Sequence, residues 1–93
     1  MDRKTIKIQD IGVIMKYPKI KKVEVLEDYF LRVFFSTGEI KIYDFKPNFK
    51  YEIFSQLKDY SIFKNVVVDI GGYGISWNND CDLSEQELYI KGV

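Results

Sequence analysis

The sequence predicts an α+β fold: a small antiparallel β-sheet of hairpins with two or three short helices, in a single domain. Three patterns carry that prediction. Across Tyr29-Phe30-Leu31-Arg32-Val33-Phe34-Phe35 every odd position is apolar, and Ile40-Lys41-Ile42-Tyr43 resumes the alternation, which is the period of a half-buried strand rich in branched and aromatic residues. Phe49, Ile53, Phe54 and Leu57 recur at the spacing of one helix face. Ser84-Glu85-Gln86-Glu87 has the form of a capping box, in which a hydroxyl and a carboxylate each satisfy one free amide at a helix start.

Val23-Glu24-Val25 opens the body of the chain as a short alternation. Ser36-Thr37-Gly38-Glu39 then turns it, so that residues 29–45 form a β-hairpin. Two registers are open. A two-residue Thr37-Gly38 loop sets Phe35 opposite Ile40 and Val33 opposite Ile42, but it asks β-branched Thr37 for a positive φ. A three-residue loop with Gly38 as a left-handed bulge sets Phe34 opposite Ile40 and Arg32 opposite Ile42. Past Pro47 a helix is expected over about residues 49 to 58, with Asn48 capping its first turn. Asp59 and Ser61 bracket a tight turn before Phe63. Residues 66–70 and 73–77 form a second strand pair around Gly71-Gly72, which supply the positive φ of the turn. A last helix runs from Glu85 to about Ile90.

The chain has 93 residues, 14 Lys plus Arg against 14 Asp plus Glu, no His and one Cys. That length supports one domain, in which nearly every large side chain is needed for the core. It divides into a basic N-terminal extension, residues 1–18, and an α+β domain, residues 19–93. Without imidazole there is no Ser or Cys triad of the usual kind, no His metal ligand and no side chain that ordinarily titrates near neutrality. With Cys81 alone, neither an internal disulfide nor a thiolate metal cluster can form within one chain, which suits a reducing compartment. Asp2, Lys4, Lys7 and Gln9 interrupt the apolar residues at the N-terminus, unlike a secretory signal. No apolar run approaches the roughly 20 residues of a membrane span. The expected location is cytoplasmic, with no membrane association.

Several side chains invite a chemical role. Gly72-Tyr73-Gly74 begins like a dinucleotide fingerprint, but Trp77 stands at the third glycine position and no helix pattern follows, so a hairpin turn accounts for it better. Asn78, Asp80 and Asp82 alternate as in a calcium loop, yet Leu83 stands where the loop needs Gly and Tyr89 where it needs Glu. These acids are expected to shape a loop. Asp44, Asp69 and Asp82 are the minimum equipment for histidine-free glycoside hydrolysis, but turn and cap roles are favoured in so small a domain. Cys81 between two acids has its thiolate disfavoured and is read as a small filler. Trp77 with the Phe and Tyr set is read as core in preference to a base-stacking surface. No catalytic residue, metal ligand or cofactor-binding residue is assigned, and no cofactor is expected.

Charge is distributed unevenly. Residues 1–22 hold seven Lys or Arg and two Asp, and residues 23–93 hold seven basic and twelve acidic residues. Arg3, Lys4, Lys7, Lys16, Tyr17, Lys19, Lys21 and Lys22 are therefore the candidate interaction residues. Ile6, Ile8, Ile11, Val13, Ile14 and Met15 are interleaved with them, which suits a segment that packs or binds a protein better than a purely electrostatic nucleic-acid contact.

In order along the chain, Tyr29-x-Leu31-x-Val33-x-Phe35-x-x-Gly38-Glu39, Asp44-Phe45, Phe54-x-x-Leu57-x-Asp59-x-x-x-Phe63-x-x-Val66-x-Val68-Asp69, Ile75-x-Trp77-x-Asn79-x-x-Asp82-Leu83 and Leu88-Tyr89 resemble a bacterial family known as domain of unknown function 2442. The resemblance covers about residues 19 to 91. Asn78 replaces the usual Pro after the Trp, and Asp80 the usual Gly of that loop. It implies a small α+β fold whose signature is Leu31, Val33, Phe35, Gly38, Asp44, Leu57, Phe63, Val68, Trp77, Asp82, Leu88 and Tyr89, with no established enzymatic activity. Such members often sit beside another small family in pairs that look like toxin and antitoxin systems. The function expected is a non-enzymatic protein-interaction module, an antitoxin-like partner of a two-gene pair, of undetermined oligomeric state. Nucleic-acid binding through the basic arm is the first alternative, and a small carboxylate hydrolase the second.

Overall fold

The computed structural model of the chain describes residues 17–93. Strands β1 (Ile20–Val25), β2 (Phe30–Phe35) and β3 (Ile40–Asp44) form an antiparallel meander in the order β1-β2-β3. Along β2, Leu31, Val33 and Phe35 are buried while Phe30, Arg32 and Phe34 stand on the opposite face, the period-two pattern the sequence displays. Between β2 and β3, Arg32 faces Ile42 and Phe34 faces Ile40. This is the three-residue loop. Gly38 takes φ +96°, its N–H donates to the Phe35 carbonyl at 2.9 Å, and the Phe35 N–H donates to the Glu39 carbonyl at 2.9 Å. Thr37 is thereby spared the left-handed conformation.

The sequence reading starts a strand at Tyr29, whereas the structure puts that residue in a tight turn between β1 and β2. Asp28 (φ 59°) and Tyr29 (φ 63°) are both left-handed, as a type I′ hairpin turn requires, although neither is glycine. Each such residue costs about 1–3 kcal/mol. The compensation is tertiary: the Tyr29 ring packs edge-on against Phe49 and Phe63, each at 5.0 Å, and its hydroxyl donates to the Lys58 carbonyl.

Two 3-10 helices, Lys46–Lys50 and Glu52–Lys58, replace the single helix expected over 49–58. Tyr51 between them is extended (φ −92°, ψ 127°). With three residues per turn, Phe54 and Leu57 share a face; Leu57 is buried, and Ile53 falls off that face and is 49% exposed. Asn48 does not cap a helix. It lies inside the first 3-10 segment and its carboxamide turns to Tyr43.

Helix α1 (Tyr60–Phe63) starts at Asp59, whose Oδ1 accepts from the Ser61 N–H at 3.0 Å. Strands β4 (Val67–Val68), β5 (Gly74–Ser76) and β6 (Asp82–Ser84) form a second antiparallel sheet in the order β4-β5-β6. Gly71 (φ 83°) and Gly72 (φ 76°) make the turn before β5. A Cβ on Gly72 would lie 2.5 Å from the Ile20 carbonyl oxygen, so the absence of a side chain lets this turn close on β1. Helix α2 (Glu85–Lys91) is capped by the Ser84 hydroxyl, which accepts from the Glu87 N–H at 3.1 Å. The reciprocal half of the expected capping box is corrected, because the Glu87 carboxylate accepts from the Tyr43 hydroxyl at 2.7 Å. A buried phenol needs an acceptor more than an exposed helix amide does.

Phe35, Phe45, Phe63, Leu31, Leu57, Ile75, Leu88 and Val33 form the centre of the core. Phe45 meets Phe49, Phe54, Phe63 and Trp77 edge-on at 5.2–5.3 Å, the arrangement ring quadrupoles favour. Trp77 is half-buried and belongs to this cluster. At the other end, Val93 exchanges both backbone hydrogen bonds with Ile42 (3.0 and 2.9 Å). Among the described residues, no helix is long and apolar enough to cross a membrane.

Candidate functional site

The register of the first sheet puts its buried side chains, Ile20, Leu31, Val33, Phe35 and Tyr43, on one face. The other face carries cross-strand rows of Lys22, Phe34 and Ile40, then of Glu24, Arg32 and Ile42, then of Phe30 and Asp44. Ile40 is 55% exposed. A shallow groove of about 460 Å³ runs over this end of the face between Lys21 and Lys22 on one side and Glu39 and Ile40 on the other, with Phe34 in it. Cationic stems shield part of the apolar surface: Lys46 Nζ sits 3.9 Å above the Phe30 ring and Lys22 Nζ 5.3 Å above Phe34. Glu24 is pinned between Arg32 (2.7 Å) and Lys22 (3.0 Å), whose hydrogen bonds hold its carboxyl below the usual range.

A second feature is polar. Asn48 Nδ2 donates to Tyr43 Oη at 2.8 Å, and Tyr43 Oη donates to Glu87 Oε2 at 2.7 Å. Lys91 Nζ lies 3.6 Å from the same carboxylate oxygen. The relay borders a cavity of about 190 Å³, whose rim is formed by Asp44, Lys50, Tyr51 and Lys91. Tyr43 is 3% exposed, and burial pushes its phenol well above the ordinary tyrosine range, with Glu87 adding to the shift and the Asn48 hydrogen bond opposing it.

The basic arm divides. Arg3, Lys4, Lys7 and Lys16 lie outside the described residues. The Tyr17 ring packs 5.8 Å from Tyr89. Lys19 is engaged within the fold, 3.3 Å from Glu85 and 4.3 Å above the Tyr73 ring. Lys21 and Lys22 are exposed and border the groove. The sheet face itself, with Phe34, Ile40 and Ile42, is missing from the sequence-based site, because outward apolar residues alternate just as inward ones do and only the register tells the faces apart.

The three acids have separate duties. Asp44 Oδ1 accepts from the Lys46 N–H at 3.0 Å and pairs with its ammonium at 2.9 Å. Asp69 Oδ1 accepts from the Ser76 hydroxyl at 2.6 Å. Asp82 is exposed on β6, opposite Ser76 of β5. Asn78 Oδ1 accepts from the N–H groups of Asp80 (2.9 Å) and Cys81 (3.0 Å) and so builds the loop. Among the described residues, no three His, Cys, Asp or Glu side chains converge. Cys81 is buried, and its thiol donates to the Ile53 carbonyl at 3.2 Å. Burial first, and then Asp80 and Asp82, push its pKa up. Tyr89 packs on Phe35 at 5.2 Å and donates to Glu39, while Leu88 and Phe63 are core and Val68 is half-buried.

Residues 20–92 match the family model described as "Protein of unknown function (DUF2442)", and the chain belongs to that family. No curated protein and no solved structure matches it.

Proposed function

We propose that this member of the family is a non-enzymatic protein-interaction module of the bacterial cytoplasm, which seats one acidic, apolar segment of a partner protein on the outer face of β1-β2-β3. The supporting observation is the row Lys22–Phe34–Ile40, with Ile40 more than half exposed on the face opposite the core. Surface apolar groups grouped between polar rims are what partner proteins use. The size of the face argues for a segment. Three strands of five or six residues offer about 20 Å by about 14 Å, well short of the roughly 800 Å² per side of a domain-sized interface. Charge argues for acidity, since along this end of the face the three cations Lys21, Lys22 and Arg32 outnumber the two carboxylates Glu24 and Glu39. The buried free thiol of Cys81 suits a reducing compartment.

The partner to test first is the protein encoded beside it, as in an antitoxin-like pair. Calorimetric titration should give a binding constant that Ile40→Glu weakens at least about tenfold while leaving the melting temperature unchanged. Equal affinity for Ile40→Glu and the parent, or no binding at all, removes the face from consideration. Loss of binding on deletion of residues 1–16 alone would transfer the role to the arm. Salt-sensitive affinity for an oligonucleotide in place of the protein would favour the nucleic-acid alternative.

A further inference from the structure

We infer that the cavity between β3, the first 3-10 segment and α2 is a binding site for a small zwitterion of the α-amino-acid class. The deep wall is made by Asn48 and Tyr43, 9% and 3% exposed. Their hydrogen bonds run one way: the Asn48 amide N–H donates to Tyr43, and the Tyr43 hydroxyl is spent on Glu87 Oε2. The Tyr43 hydroxyl has one proton to give, and once that is spent on Glu87 the phenol oxygen serves Asn48 as an acceptor. Among the described residues this direction leaves the Asn48 side-chain Oδ1 and Glu87 Oε1 without a donor, on residues that line the cavity. A buried carboxamide oxygen without a partner is costly, and an adjoining cavity is the place from which a partner comes. The group required there is an N–H donor, best a cationic one beside the Glu87 carboxylate.

The rim has the opposite character. Lys50 is exposed at the mouth, where its ammonium suits a carboxylate, while Lys91 is engaged with Glu87 Oε2 at 3.6 Å. Asp44 is already held by Lys46. A ligand with an amine at one end and a carboxylate at the other meets both demands. The volume, about 190 Å³, is that of about six waters at about 30 Å³ each, so it admits a compact amino acid. None of the groove residues of the sheet face takes part, and the two sites stand or fall separately.

Amide-resonance titration of the full-length chain with each of the natural amino acids, glycine, alanine and serine first, tests this. The expected result is saturable shifts at Tyr43, Asn48, Tyr51 and Glu87 with a dissociation constant of about 1 mM or tighter. Lys50→Met, at an exposed position, should weaken binding at least about tenfold while leaving stability unchanged, and Asn48→Asp should alter selectivity toward the amine. Absence of saturable shifts for every amino acid overturns the assignment and leaves a water-filled cavity. So does equal binding of the corresponding amides, which lack the carboxylate, or unchanged affinity in Lys50→Met.

Discussion

Trp77 stacks on Phe63 with ring centroids 5.6 Å apart and donates its indole N–H to the Phe63 backbone carbonyl at 2.7 Å. One side chain thus ties the loop after β5 to the end of α1 through both packing and a hydrogen bond. Trp77→Ala should lower the unfolding free energy by about 3 kcal/mol. Trp77→Phe, which keeps a ring but orphans the carbonyl, should cost about 1 kcal/mol. Urea denaturation followed by far-UV circular dichroism measures both. Equal midpoints for the alanine variant and the parent would mean that the indole contributes no packing.

Gly72 and Gly38 both adopt positive φ, yet their surroundings differ. A Cβ at Gly72 meets backbone atoms of Ile20 at 2.5 and 3.0 Å, whereas one at Gly38 meets nothing within 4 Å. Gly38→Ala should therefore cost only the conformational strain, about 1 kcal/mol. Gly72→Ala should cost at least about 2 kcal/mol, because the second sheet must move off β1. Thermal melts of the pair should separate them, and equal losses would contradict the close approach of the two sheets.

The Tyr43 phenol is neutral in the fold and its pKa is raised, mainly by burial. In the unfolded chain it titrates near the ordinary tyrosine value of about 10. Above that pH the unfolded state loses the proton first and binds fewer protons than the native state, so stability falls as pH rises. The contribution is fully present below about pH 10 and is lost as the pH climbs toward the native value. Chemical denaturation at pH 8 to 11.5 should show a steeper alkaline loss for the parent than for Tyr43→Phe. The substitution should also cost about 1–2 kcal/mol at neutral pH by orphaning Asn48. Parallel pH profiles for the two proteins would refute the linkage.

Cys81 should be inert in the native protein, since its thiol is buried, bonded to the Ile53 carbonyl and raised in pKa. Reaction with a maleimide at pH 7.5 should track the unfolded fraction across a urea series. A native-state rate close to that of a free cysteine peptide would show that the thiol is accessible.

Legibility in the sequence followed the range of each interaction. Leu31, Val33 and Phe35 declare their face by period two, and Gly38, Gly71 and Gly72 mark turns because few other residues tolerate their backbone angles. Ser84 announces the start of α2 through a contact three residues long. Asn48 and Glu87 each match a local capping pattern, but the buried Tyr43 hydroxyl, five positions from the first and 44 from the second, is the better partner for both. Tyr29 read as strand for the same reason: its left-handed backbone is upheld by Phe49, Phe63 and Lys58, from 20 to 34 positions away.

The α+β class, the inward row of β2, the turn glycines and the first bond of the last helix can be read from the chain alone, since all of these depend on neighbours within a few residues. The choice between the two hairpin registers, the exposure of Ile40 on the outer face among the described residues, and the relay from Asn48 through Tyr43 to Glu87 come from the folded structure. The relay joins polar groups 44 residues apart, and burial makes an unmet hydrogen bond costly enough to override the local pattern.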